Sequence, residues 1–189
     1  MNTLPSLVFD TTVRQRRHLG MLVAVICIWH AQDVLAADAC NKLLPIPLQT
    51  SLAKFFPAFH LPIADNKLNG RTCPDIAHGD FNGDGRQDFL LNLKTRRGDD
   101  ALVVIALTHG KGWQFKTLGE FPGEHARLYV QTGKPGIYRR TKALDSPLQS
   151  GEMRTMKCPY PAAIFGTPES SGVAYCHIHQ NWKHVWISD

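Results

Sequence analysis

Leu102-Val103-Val104-Ile105-Ala106-Leu107, then His109-Gly110-Lys111-Gly112, then Trp113 to Leu118, is the stretch that decides the fold class. The first segment is an apolar run centred on β-formers, the second a glycine turn, and the third alternates large side chains. Together they read as strand, reversal and strand. Outward from this pair, Phe89-Leu90-Leu91-Asn92-Leu93 reads as a strand before it. Leu128-Tyr129-Val130 reads as one after it, stopped near Gly133 and Pro135. Ala162 to Phe165, Val173 to His179 and Trp182 to Ile187 give further strands. Turn signals at Thr167-Pro168-Glu169-Ser170 and at Gln180-Asn181 separate them. Toward the N-terminus, Leu48, Leu52, Phe55 and Phe56 have helical spacing, and Pro57 ends that helix. Short strands with regular turns predict an all-β fold: a single antiparallel β domain, of sandwich or blade-like sheets, with a short N-terminal helix.

The first residues do not belong to that pattern. Arg14, Arg16 and Arg17 form a charged start, an apolar run follows from Leu19 to Trp29, and small residues come next in Val34-Leu35-Ala36-Ala37. This is the order of a secretory signal peptide. The run is too short to span a bilayer as a mature helix. Residues 1–37 are therefore expected to be cleaved after Ala36 or Ala37, leaving residues 38–189 as a periplasmic or secreted domain without a stable membrane span. Asp38, two residues before Cys40, disfavours a lipid anchor on that cysteine. Cleavage removes three of the 21 Lys and Arg and two of the 16 Asp and Glu, leaving a net charge of about +4. That excess suits an acidic partner but is too diffuse for nucleic acid. Its densest cluster, Arg139, Arg140 and Lys142, reads as a solvated face.

Cys27 leaves with the signal, and Cys40, Cys73, Cys158 and Cys176 remain. An even count in a small exported domain reads as two disulfides. Cys40–Cys73 with Cys158–Cys176 is the expected pairing. A hairpin folding at Pro168–Ser171 brings the neighbourhood of Cys158 near that of Cys176.

Asp80-Phe81-Asn82-Gly83-Asp84-Gly85-Arg86-Gln87-Asp88 is the sharpest motif. Oxygen-bearing side chains fall on alternate positions and again at the ninth. Calcium takes about six to eight oxygen ligands. Asp80, Asn82, Asp84 and Asp88 can supply side-chain oxygens, and Arg86 a carbonyl. Three carboxylates this close repel one another unless a cation compensates; the competing reading is an Asp- and Asn-rich turn without metal. An EF-hand needs a bidentate Glu at the twelfth position, which here is Leu91. The loop instead resembles the calcium loop of FG-GAP and VCBS repeats, D-x-[ND]-x-D-G-x-x-D running into a strand. The resemblance covers about fifteen residues in one copy. It implies one Ca2+ and a following strand, not a propeller.

Ser171-Gly172-Val173-Ala174-Tyr175 matches S-G-x-x-Y. The pattern resembles the active loop of bacterial periplasmic lysozyme inhibitors. The resemblance implies that Ser171 and Tyr175 enter an enzyme's cleft, with Gly172 allowing close approach. The ending from Trp182 to Asp189 looks like the tails of small single-loop calcium proteins of bacterial periplasms. Some of these resemble immunity proteins against peptidoglycan hydrolases, which makes Lys183 a further contact. The implied function is not enzymatic: a periplasmic inhibitor or immunity protein that plugs a lysozyme-like peptidoglycan hydrolase, an effector or muramidase. The alternative is a calcium-dependent adhesion or surface-binding module. Arg97-Gly98-Asp99 reads as an ordinary turn. The Cys176, His177, His179 and His184 group lacks zinc spacing, and there is neither a nucleophile elbow nor a phosphate loop.

Overall fold

The computed structural model describes Cys40, residues 42–62, Leu68, residues 72–144 and residues 146–188. The expected signal peptide, residues 1–37, lies outside them. Within the unit Ala36–Asp189 the described residues include the helix α1 (Ile46–Phe55) and strands β1 (Phe59–His60), β2 (Ile76–Gly79), β3 (Asp88–Thr95), β4 (Ala101–His109), β5 (Gly112–Phe121), β6 (Tyr129–Gly133), β7 (Gly136–Arg139), β8 (Thr155–Cys158), β9 (Ala162–Gly166), β10 (Ser171–Ile178) and β11 (Asn181–Ser188). Every pairing between these strands is antiparallel, and one isolated bridge, Glu152 to His184, is parallel. The fold is all-β with a short helix. Among the described residues no helix is long and apolar enough to cross a membrane.

One sheet runs β1-β3-β4-β5, with β2 also on β3; a second runs β11-β10-β9-β6; β7 and β8 form a two-stranded ribbon. β4 shows why its apolar run is unbroken. Its odd residues Val103, Ile105 and Leu107 join the core that also takes Phe165 and Val173 of the second sheet. Its even residues Leu102, Val104 and Ala106 join Leu48 and Leu52 of α1 on the other face. Successive strand side chains point to opposite faces, so a strand covered on both sides has no polar position to alternate with. The second sheet is covered in the same way. Ala162, Ile164, Ala174 and Val185 pack against Met156 and Cys158 of β8 on its outer face. Helix, sheet, sheet and ribbon therefore make four layers.

Both predicted disulfides are present, with Cα–Cα distances of 5.5 Å. Cys40–Cys73 ties the chain before α1 to the start of β2, and its sulfur is not free for a lipid. Cys158–Cys176 joins the ribbon to the sheet. The expected pairing holds for a different reason. β10 pairs with β9, Tyr175 opposite Ala163, so Cys158 reaches Cys176 from the covering layer and not from the neighbouring strand.

A buried polar group lies among the elements joining the sheets. Asn92 of β3 donates through Nδ2 to Asp75 Oδ1 at 2.8 Å and to the carbonyls of His125 and Leu128 at 3.3 and 3.4 Å. His125 Nε2 stands 3.6 Å from Asp75 Oδ2. Val130 N–H donates to the Pro74 carbonyl, and the Thr132 hydroxyl to that of His78. Bonds of this kind fix how β6 lies against β2.

Candidate functional site

The loop Asp80–Asp88 folds on its own carboxylates. Asp80 accepts the N–H groups of Gly83 (2.7 Å), Asp84 (3.1 Å) and Gly85 (2.9 Å). Asn82 Oδ1 accepts Asp84 N–H, and Asp84 Oδ1 accepts Arg86 N–H. Gly83 and Gly85 both have φ of +79°, a conformation nearly closed to other residues. Two buried residues anchor the loop. Phe81 is fully buried in the core between the sheets. Asp88, also fully buried, accepts Phe81 N–H at 3.0 Å and Thr108 N–H at 2.8 Å.

Asp88 carries the electrostatic tension. Burial pushes its pKa up to about 6, against the lowering effect of the Thr108 and Phe81 hydrogen bonds; the charges of Asp84 and Asp80 push the same way as burial. A raised carboxyl favours folding when protonated, so this contribution is full below the ordinary aspartate range and is lost as pH rises through about 6. Among the described residues no salt bridge pairs Asp80, Asp84 or Asp88 with a cation. Among the same residues, no group of three or more His, Cys, Asp or Glu side chains is gathered as a ready metal cage. The chemistry of the donor set fits a hard cation: carboxylate and amide oxygens, one carboxylate buried without a positive partner.

Gly83 has a second role. Tyr160, just after β8, lies so close over it that a Cβ there would collide with the ring. The loop thus props Tyr160, which is itself exposed at the rim of a surface cleft shared with Asn82 and His179.

The S-G-x-x-Y residues are a strand and not a protruding loop. Ser171 to Tyr175 open β10, between β9 and β11, with Gly172 paired to both Gly166 and Ile187. Gly172 is buried. The ring of Tyr175 is sandwiched between Phe165 (5.8 Å) and His184 (5.0 Å), and its hydroxyl donates to the Leu118 carbonyl at 3.2 Å. Burial raises its pKa. Both residues are thus occupied internally. Tyr175→Phe is expected to cost about 1 kcal/mol, the worth of one internal hydrogen bond, read as a shifted denaturant midpoint. Lys183 is half-buried on β11, opposite Cys176.

Arg140 corrects the sequence reading of a solvated basic face. Its side chain is 9% exposed and its Nε donates to Glu152 Oε1 at 2.6 Å, with Glu152 1% exposed. Its remaining nitrogens donate to the Leu144 carbonyl and to Ser146. Gln149 N–H donates to the other Glu152 oxygen at 2.8 Å. That N–H, then Arg140, hold the Glu152 pKa below the usual range, while burial opposes them. Burial lowers the pKa of neighbouring His184, against the Glu152 charge. The chain searched against protein-family models, curated proteins and solved structures matches none of them.

Proposed function

We propose that the chain is an exported, non-catalytic surface-binding module braced by one calcium ion. The observation that carries this reading is the seat of Tyr160 on Gly83, which makes the Asp80–Asp88 loop the prop of an exposed cleft wall. Asp80, Asn82, Asp84, Asp88 and the Arg86 carbonyl would hold the ion, which supplies the positive charge that Asp88 lacks. Two disulfides suit an oxidising compartment. The module reading is preferred to a hydrolase plug because Gly172 and Tyr175 are spent inside the fold.

Calcium binding to the folded state alone stabilises it by about 2.7 kcal/mol at a hundredfold excess over its dissociation constant. The melting temperature in millimolar calcium is therefore expected to exceed that in chelator by several degrees, with one ion per chain by elemental analysis. Coincident melting curves with no bound metal defeat the calcium reading. Sedimentation with whole cells tests the module. Retention on the cell surface supports it, while specific capture of a peptidoglycan hydrolase in its place returns the inhibitor reading.

A further inference from the structure

The tips of the β4–β5 and β10–β11 hairpins bound a cleft of about 780 Å³, walled by Gln114, Lys116, His177, Gln180, Asn181 and Trp182. A second cleft, of about 690 Å³, shares His177 and Gln180 with the first. It adds His179, Lys157 and the propped Tyr160. Among the described residues no Asp or Glu lines either cleft.

We propose that the joined clefts bind a carboxylated glycan strand. Trp182 is half-exposed and faces His177 across the β10–β11 pair, ring centroids 5.2 Å apart. Such rings offer a flat apolar face with a polar edge, which suits the C–H face of a sugar. Gln114 and Gln180 carry amides with both donors and an acceptor, as hydroxyl groups require, and Asn181, whose Nδ2 donates to the His179 carbonyl at 3.0 Å, keeps its Oδ1 as an acceptor. Lys116 and Lys157 attract carboxylates, and the His177 and His179 rings can donate N–H hydrogen bonds to them, with no acidic side chain competing among the lining residues. Two clefts that share His177 and Gln180 offer adjacent seats to successive units of a chain.

The turn between β10 and β11 points the same way. Ile178 pairs with Asn181, and the two residues between them, His179 and Gln180, have φ of +48° and +63°. Two consecutive positive φ values define a type I′ hairpin, which favours Asn-Gly and burdens other residues with strain. Here the strained positions are two exposed side chains that both line the clefts. Strain at a site that carries ligand-facing groups is the signature of a stability-for-function exchange.

This inference rests on the surface-module reading; the first cleft shares no residue with the calcium loop, while the second takes Asn82 and Tyr160 from and beside it. It is tested by isothermal titration of the exported protein with oligogalacturonate, and with a neutral cello-oligosaccharide of equal length. Saturable binding of the carboxylated probe alone is expected. Trp182→Ala should weaken it at least about tenfold, and exposed Lys116→Ala, which leaves the core intact, a few-fold. Joint His179→Asn and Gln180→Gly should raise the melting temperature while weakening binding. Absence of binding, equal binding of the neutral probe, or unchanged binding in Lys116→Ala and the turn variant together overturns the proposal. The titration is run in calcium and the calcium melt is read separately, so failure of the glycan site and failure of the calcium reading are distinguishable.

Discussion

Glu152→Ala is expected to destabilise the protein by about 3–5 kcal/mol, the usual cost of leaving a buried charge without its partner. Arg140 would keep its guanidinium between Leu144, Ser146 and the missing acid, nine-tenths buried. The pair sits where that cost propagates. Met153 N–H donates to the His184 carbonyl, His184 N–H to that of Gly151, and Thr141 N–H to that of Trp186, so the segment fixed by Glu152 lies along the open side of β11. An uncovered edge strand leaves its hydrogen-bonding groups unpaired. Glu152→Gln, which keeps the shape and an acceptor for Arg140, should lose less. A pH series adds a second check. The lowered pKa of Glu152 means its contribution is full above the ordinary glutamate range and is lost as pH falls through the lowered value. The alanine variant should lack that acid-side component. A loss below about 1 kcal/mol, read from denaturant midpoints, would place the pair in the class of exposed bridges.

That pair also shows where sequence reading stopped. Arg140 lies among Arg139 and Lys142, and nothing local says that a carboxylate twelve positions on will bury it. The β-strands divide along the same line. β4, β9 and β11 were legible because both of their faces are covered, or because aromatic residues mark the inner face. β2, with Ile76-Ala77-His78-Gly79, and the β7–β8 ribbon were not. Short strands with one buried face, such as β8 with only Met156 and Cys158 inward, give too few positions for a period to show. The last hairpin was read one residue late, at Gln180-Asn181. Its true turn, His179-Gln180, lacks the Asn-Gly or Asp-Gly pair that marks such a turn in a sequence.

The candidate site was legible in part for a related reason. The Asp80–Asp88 spacing is set by one local loop, so every oxygen-bearing position can be read in order. S-G-x-x-Y has no such closure. What surrounds Tyr175 is Phe165 from β9 and His184 from β11, and a five-residue motif carries no information about strands that will flank it. The clefts proposed for a glycan combine residues from positions 82 to 182, which only the tertiary fold brings together.

Phe81→Ala is expected to cost about 3–5 kcal/mol, as for a fully buried phenylalanine, although Phe81 belongs to a loop that is otherwise mostly exposed. Its ring packs with Leu90, Val130 and Phe165 in the core between the sheets. Its own N–H is held by Asp88, which also holds Thr108 of β4. The ring thus fixes the second residue of the loop while Asp88 fixes the ninth, and the oxygens of Asn82, Asp84 and Arg86 proposed for calcium lie between these two anchors, with Asp80 just before the first. Two measurements separate the consequences. In chelator, the denaturant midpoint should fall by the full cost of the cavity. In calcium, the variant should need a higher ion concentration for the same stabilisation, because binding must then also order a loop that the core no longer holds. A variant that loses stability in chelator yet responds to calcium at the unmutated concentration would show that the loop is shaped by its internal Asp80 and Asp84 hydrogen bonds alone. A loss under about 1 kcal/mol in chelator would remove Phe81 as the anchor, since no filled core site of that size is so cheaply emptied.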